Sequence, residues 1–183
     1  MTDIQTILTY LTLISIPIGV FYHIMTLRNT SKNQQMQLET RQAQLFMGLY
    51  QTFRSPEFVR NWDHVIWRLE FKDWEDAAEK LHPVNNPDER TIWFSVGMFF
   101  VGVGVLVKRG LIDLSLVDDL LGGMITHTWE KMGPIEVESR IRLNNPRAFE
   151  DFEYLYDEIV RSTEGRGSYK GLREGFSPYI EKE

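Results

Sequence analysis

"TIWFSVGMFFVGVGVLV", Thr91 to Val107, runs seventeen residues without a formal charge, and its reading decides the fold. That length is the lower limit for a helix crossing a hydrocarbon layer of ~30 Å. A helix apolar on every side is equally the signature of a central helix buried by its neighbours. Gly97 and Gly104 lie seven apart on one face, where the missing Cβ lets another backbone come close. Composition alone leaves both readings open, so the rest of the chain has to choose.

The choice turns on a longer apolar stretch, "DIQTILTYLTLISIPIGVFYHIMTLRN", Asp3 to Asn29. Between Asp3 and Arg28 only His23 can become charged. Ile4 to Leu27 would extend roughly 36 Å as a helix, a little more than the layer requires. Pro17 and Gly19 weaken a helix in water but are tolerated in membrane helices. A cleaved signal peptide has a basic n-region, a short apolar core and a small-residue cleavage site. Here the start is Met-Thr-Asp and the run ends in His23-Ile24-Met25. Residues 1–29 therefore read as a retained transmembrane anchor that meets the lipid bilayer through residues 4–27.

Arg28, Lys32 and Arg41 follow the stretch and no basic side chain precedes it. The positive-inside bias then predicts an N-terminus outside and a main domain in the cytoplasm, at the cell inner or plasma membrane. A second span at 91–107 would carry Lys108 and Arg109 to the wrong side. It would also take from the amphipathic helices around it their most apolar partner. The expected fold is accordingly all-α: one transmembrane helix, a helical neck, and a compact multi-helix cytoplasmic domain with Thr91–Val107 as its core helix.

The domain boundaries follow from composition. Residues 30–44 are polar without Pro or Gly, a neck continuing the anchor. Met36, Ala43 and Tyr50 recur every seven residues, a short pattern by which copies of the neck would pair; a solvated linker helix accounts for it equally well. Residues 45–162 are the helical domain. Phe46, Leu49, Tyr50 and Phe53 fall at i, i+3, i+4 and i+7. Ser55 and Pro56 start a helix burying Phe58, Val59, Trp62, Ile66 and Trp67. Asp73 caps a short acidic one, and Asn86-Pro87 opens the long apolar one. Gly110 ends that helix; Ser115 with Asp118 has the form of a capping box for the next, along Leu116, Val117, Leu120 and Leu121. Ile125, Trp129 and Met132 continue a helical face until Pro134 kinks or restarts it. Asn145-Pro146 opens a helix carrying Phe149, Phe152, Tyr156 and Ile159. Residues 163–183, with four glycines and few apolar side chains, are a flexible tail. No stretch alternates with period two.

Of 183 residues 43% are hydrophobic, enough for a real core, and the net charge of -6 disfavours nucleic acid as a partner. Cysteine is absent, which removes disulfides, thiolate catalysis and cysteine-held metals, and fits a reducing compartment. His23, His64, His82 and His127 are dispersed; His127 and Glu130 stand at i, i+3 with no further ligands in sight. The carboxylates at Asp73, Glu75, Asp76 and Glu79 suit a helix N-terminus, and those at Glu150, Asp151, Glu153, Asp157 and Glu158 a solvated face. Most of the five tryptophans are expected in the core. No nucleophile elbow, phosphate loop, dinucleotide fingerprint or calcium loop occurs. No catalytic, cofactor-binding or metal-ligating residue can be named.

"QLFMGLYQTFRSPEFVRNW", "VLVKRGLIDLSLVDDLLGG" with the following "THTWEKMGPIEVESR", and "PRAFEDFEYLYDEI" together resemble an uncharacterised family of small prokaryotic membrane-anchored proteins. The likeness covers roughly residues 44–159, plus the anchor by position. It implies one N-terminal transmembrane helix, no second span, and a cytoplasmic all-helical domain of unknown function; it brings no catalytic role. The expectation is a single-pass protein acting by protein–protein interaction, as an accessory or scaffold subunit of a membrane assembly, with a protein partner or as a homo-oligomer. A membrane-tethered enzyme or small-ligand sensor with a site between helices is the alternative, and a two-span channel or transporter component the third; an enzyme is the less favoured reading.

Overall fold

The computed structural model describes residues 2–163, so the expected tail lies outside the described residues but for its first position. The described residues form six α-helices and one π-helical turn, with no strand among them. The first helix, α1 (Thr2–Phe53), runs unbroken through Pro17 and across residues 2–29 and 30–44, expected as anchor and neck, without interruption. Contacts divide the chain into two units that meet between Gln44 and Leu45.

In the first unit the described large apolar side chains, among them Ile7, Leu11, Ile18 and Phe21, stand exposed, with no protein core around them. Thr9, Thr26, Thr30 and Thr40 donate their hydroxyls to the carbonyl four residues earlier, at 2.8–2.9 Å. Those polar groups are thus satisfied by the helix itself and do not require water.

The second unit holds the core. α2 (Pro56–Asp63) starts where Ser55 accepts from the Phe58 amide, with Pro56 in the first turn. It passes into the π-helical turn His64–Arg68, then α3 (Trp74–Lys80), capped by Asp73. α4 (Pro87–Lys108), α5 (Leu114–Arg142) and α6 (Glu150–Thr163) complete the unit. A chain of rings ties it together: Phe53 to Phe58 (5.6 Å), Phe58 to Phe99 (4.6 Å), Phe100 to Phe152 (4.9 Å) and Phe152 to Trp129 (4.9 Å).

α4 is the central helix, packed against α2, α5 and α6. Its buried residues, Trp93, Val96, Gly97, Phe100, Val103, Gly104 and Val107, form one stripe, while Phe94 and Met98 are exposed. The apolar composition therefore overstates its burial, which is one-sided. Gly104 admits another backbone as its spacing suggested, whereas Gly97 makes room for a side chain. A Cβ on Gly104 would sit 2.0 Å from the backbone oxygen of Asp151, and one on Gly97 2.3 Å from the Phe149 ring.

Several local expectations need correcting. Val59 is exposed on α2; Trp67 is exposed too and Val65 fully buried, because i→i+5 bonding in the π turn adds a residue per turn and shifts the inward face from His64 onward. α5 begins at Leu114 under Asp113, which accepts from the Ser115 amide at 2.8 Å; Ser115 is not the cap, and Asp118 is buried and accepts from Ser162 at 2.8 Å. Leu120 is exposed. Pro134 sits inside an unbroken α5. α6 starts at Glu150, after a turn through Asn144 (φ 49°) and Phe149 (φ 55°), since Phe149 takes a left-handed conformation that no helix allows. Tyr50 stacks between Phe46 and Phe53 at 6.0 and 6.1 Å and is half-buried against the core.

Candidate functional site

A cavity of about 370 Å³ opens between α3, α4, α5 and the turn leading to α6. Its walls are apolar and aromatic: Trp74 and Leu81 from α3 and its end, Trp93 and Phe94 from α4, Phe149 from the turn. Two charged side chains also line it, Arg90 and Glu136.

Glu136 is the unusual one. It lies on the same stripe of α5 as Ile125, Trp129 and Met132, and is only 5% exposed. Its Oε1 accepts from the Trp93 indole N–H at 2.6 Å, and no described residue donates to Oε2. Burial in these surroundings pushes its carboxyl above the ordinary range; the Trp93 hydrogen bond and the charges of Arg90 and Arg140 oppose that shift without cancelling it. Arg90 lies with its guanidinium 4.5 Å above the Phe94 ring. It forms no ion pair with Glu136, although both face the cavity.

The far wall depends on strained backbone. Phe149, a bulky residue with positive φ, is held by its surroundings. The Arg140 Nε–H donates to the carbonyl of Ala148 at 2.7 Å and its Nη1–H to Glu153 Oε2 at 2.5 Å, tying α5 to the turn and to α6. Gly97 leaves room for the Phe149 ring, which meets Phe94 edge-on at 5.5 Å.

The other candidate polar residues are not gathered into this cavity, except His82 at its edge. His82 Nδ1 accepts from the amides of Val84 and Asn85 at 3.3 Å, which makes it part of a turn. His64 Nε2 pairs with Glu89 at 2.7 Å on a half-exposed surface. His127 lies among the rings of Trp62 and Trp67, at 6.3 and 5.8 Å. His23 is exposed beside Tyr22. Among the described residues no group of three or more His, Asp or Glu is placed to hold a metal ion. The acidic clusters serve local ends: Lys80 and the Lys72 amide hold Asp76 below the usual carboxylate range, while Asp151, Glu150 and Glu158 pair with Lys108, Arg147 and Arg161. Of the tryptophans, Trp93 and Trp129 are buried, Trp62 and Trp74 half-buried, and Trp67 exposed, so fewer lie in the core than expected.

Sequence reading missed Glu136, and the signal was present. Positions 125, 129, 132 and 136 step along one helical face, so the carboxylate falls where an apolar residue belongs.

Compared with known families, residues 4–159 match one described as a domain of unknown function (DUF4760). No curated protein and no solved structure matches the chain.

Proposed function

Since the chain belongs to this family of unknown function, DUF4760, we propose from its own physical chemistry that it is a single-pass membrane protein acting through protein–protein contacts. The observation that carries the reading is the first unit of α1. It is a helix long and apolar enough to cross a membrane, and none of its most apolar window is buried. Each large aliphatic side chain left in water forgoes about 1.5–3 kcal/mol, and from Ile4 to Leu27 most are in that state. Lipid removes that penalty. α4 passes the same test of length and composition, but its apolar stripe is already covered by α2, α5 and α6.

In this reading Arg28, Lys32 and Arg41 hold the domain on the cytoplasmic side of the inner or plasma membrane. Confinement to one surface raises the effective concentration of the domain toward partners anchored there, which suits an accessory or scaffold subunit or a homo-oligomer. Met36, Leu38, Leu45 and Met47 are exposed along α1 beyond the anchor and supply apolar contacts for a partner. The test is membrane fractionation followed by alkaline extraction, with accessibility labelling of cysteines placed at Ser95 and Glu183. The protein is expected to resist extraction, with both positions cytoplasmic, and to recover a partner or a defined oligomer in mild detergent. Release by alkaline buffer, or a monomer from which crosslinking recovers nothing, refutes it.

A further inference from the structure

We propose that the cavity between α3, α4 and α5 binds a small zwitterion with an apolar body, such as an aromatic amino acid, its ammonium on Glu136 and its carboxylate on Arg90. The volume of about 370 Å³ falls in the ~300–1,000 Å³ range of small-molecule sites. The site also has their usual make-up, apolar and aromatic walls with a few polar groups that fix orientation. The two charges are of opposite sign, face the same cavity, and do not pair with each other. Each therefore keeps capacity for a ligand: Glu136 has an oxygen to which no described residue donates, and Arg90 makes no described ion pair.

The charges are also placed in depth. Glu136 is buried and oriented by Trp93, whereas Arg90 is half-exposed, against the ring of Phe94. An ammonium would sit at the floor and a carboxylate nearer the mouth, with the apolar body against Trp74, Trp93 and Phe149. A simple cation would be repelled by Arg90 and a simple anion by Glu136; a dipolar ligand leaves the cavity neutral. Burial keeps the Glu136 carboxyl above its ordinary range despite two nearby arginines, so this carboxylate is short of compensating charge. A buried acid in that condition lowers stability, and ligand binding is the circumstance in which such a group is useful.

The experiment uses the full chain in lipid nanodiscs, titrated with phenylalanine and followed by calorimetry and by the emission of Trp74 and Trp93. Phenethylamine, which lacks the carboxylate, and hydrocinnamate, which lacks the amine, are the comparison ligands. Saturable phenylalanine binding is expected, with a dissociation constant on the order of 0.1–1 mM for a ligand this small and at least about tenfold tighter than either comparison. Glu136→Gln should bring phenylalanine and hydrocinnamate to similar affinity, and Arg90→Gln should do the same for phenylalanine and phenethylamine. A variant damaged only in its fold would lose all three ligands together. Thermal unfolding of each variant establishes that it is folded. No saturable phenylalanine binding, comparison ligands that bind as tightly, or variants that leave the preferences unchanged overturn the proposal.

Discussion

Gly104→Ala and Gly102→Ala, two residues apart on α4, should change stability in opposite directions. Both exchange glycine for the best helix former, a gain of about 0.8–1 kcal/mol in a helix interior. At Gly102 the new methyl meets nothing within 4 Å, so the gain is kept. At Gly104 the methyl would lie 2.0 Å from the Asp151 oxygen, 2.8 Å from its carbonyl carbon and 3.4 Å from Leu155 Cβ. Ordinary contact requires about 1 Å or more of added separation, and the obstacle is backbone, which no rotamer change relieves. α4 and α6 must move apart, loosening the Phe100–Phe152 stack (4.9 Å) and the Lys108–Asp151 pair (2.8 Å). Overpacking costs about 1–3 kcal/mol and sometimes more, and a backbone clash belongs at the upper end. Gly104→Ala should therefore destabilise by about 2 kcal/mol net, and Gly102→Ala stabilise by about 0.5–1 kcal/mol. Their melting temperatures should differ by on the order of 10 °C, read by circular dichroism and tryptophan emission of the detergent-solubilised chain. A Gly104→Ala protein as stable as the parent would refute the close α4–α6 crossing and the central role given to α4.

Trp93→Phe removes the donor to Glu136 and should destabilise by about 1–3 kcal/mol; in a Glu136→Gln background chemical denaturation should show a smaller loss. Burial raises the Glu136 carboxyl while Arg90 and Arg140 oppose the shift, so above the ordinary carboxylate value the native state keeps a proton that the unfolded chain releases. Native stability should consequently fall as pH rises from that value to the native one, and Glu136→Gln should abolish the fall in denaturation curves taken across pH. Asp76 and Asp113 are held below the ordinary range, first by the side chains of Lys80 and Ser115 respectively; their stabilisation is present above that range and should disappear on acidification. Asp113→Ala should lower stability by about 1 kcal/mol through loss of the α5 cap, and Ser115→Ala by less, measured by the same unfolding assay.

Much of the fold was legible along the chain because the rules involved are local. The caps at Ser55 and Asp73, the prolines at 56 and 87, and the 3.6-residue stripes all act within one or two turns. They place α2, α3, α4 and the core face of α6 where the structure has them. The failures share one cause. The π turn after α2, the unbroken helix through Pro134 and the left-handed Phe149 are local choices imposed by distant packing. Local preferences, a few tenths of a kcal/mol for most residues and about 3 kcal/mol for a proline inside a helix, yield to packing such as that of the Phe149 ring against Gly97.

The sequence by itself determined that the chain is helical, that its first apolar stretch is long enough to span a bilayer, and that it lacks cysteine chemistry. Those are matters of composition and period, which need no partner to be true. Only the tertiary structure decided that α4 is covered on one face by α2, α5 and α6, and that Glu136 is taken from water into an aromatic cavity. Burial of a charge depends on what other segments, tens of residues away, bring around it. Glu136 and Trp93 are separated by 43 residues in the chain and by 2.6 Å in space.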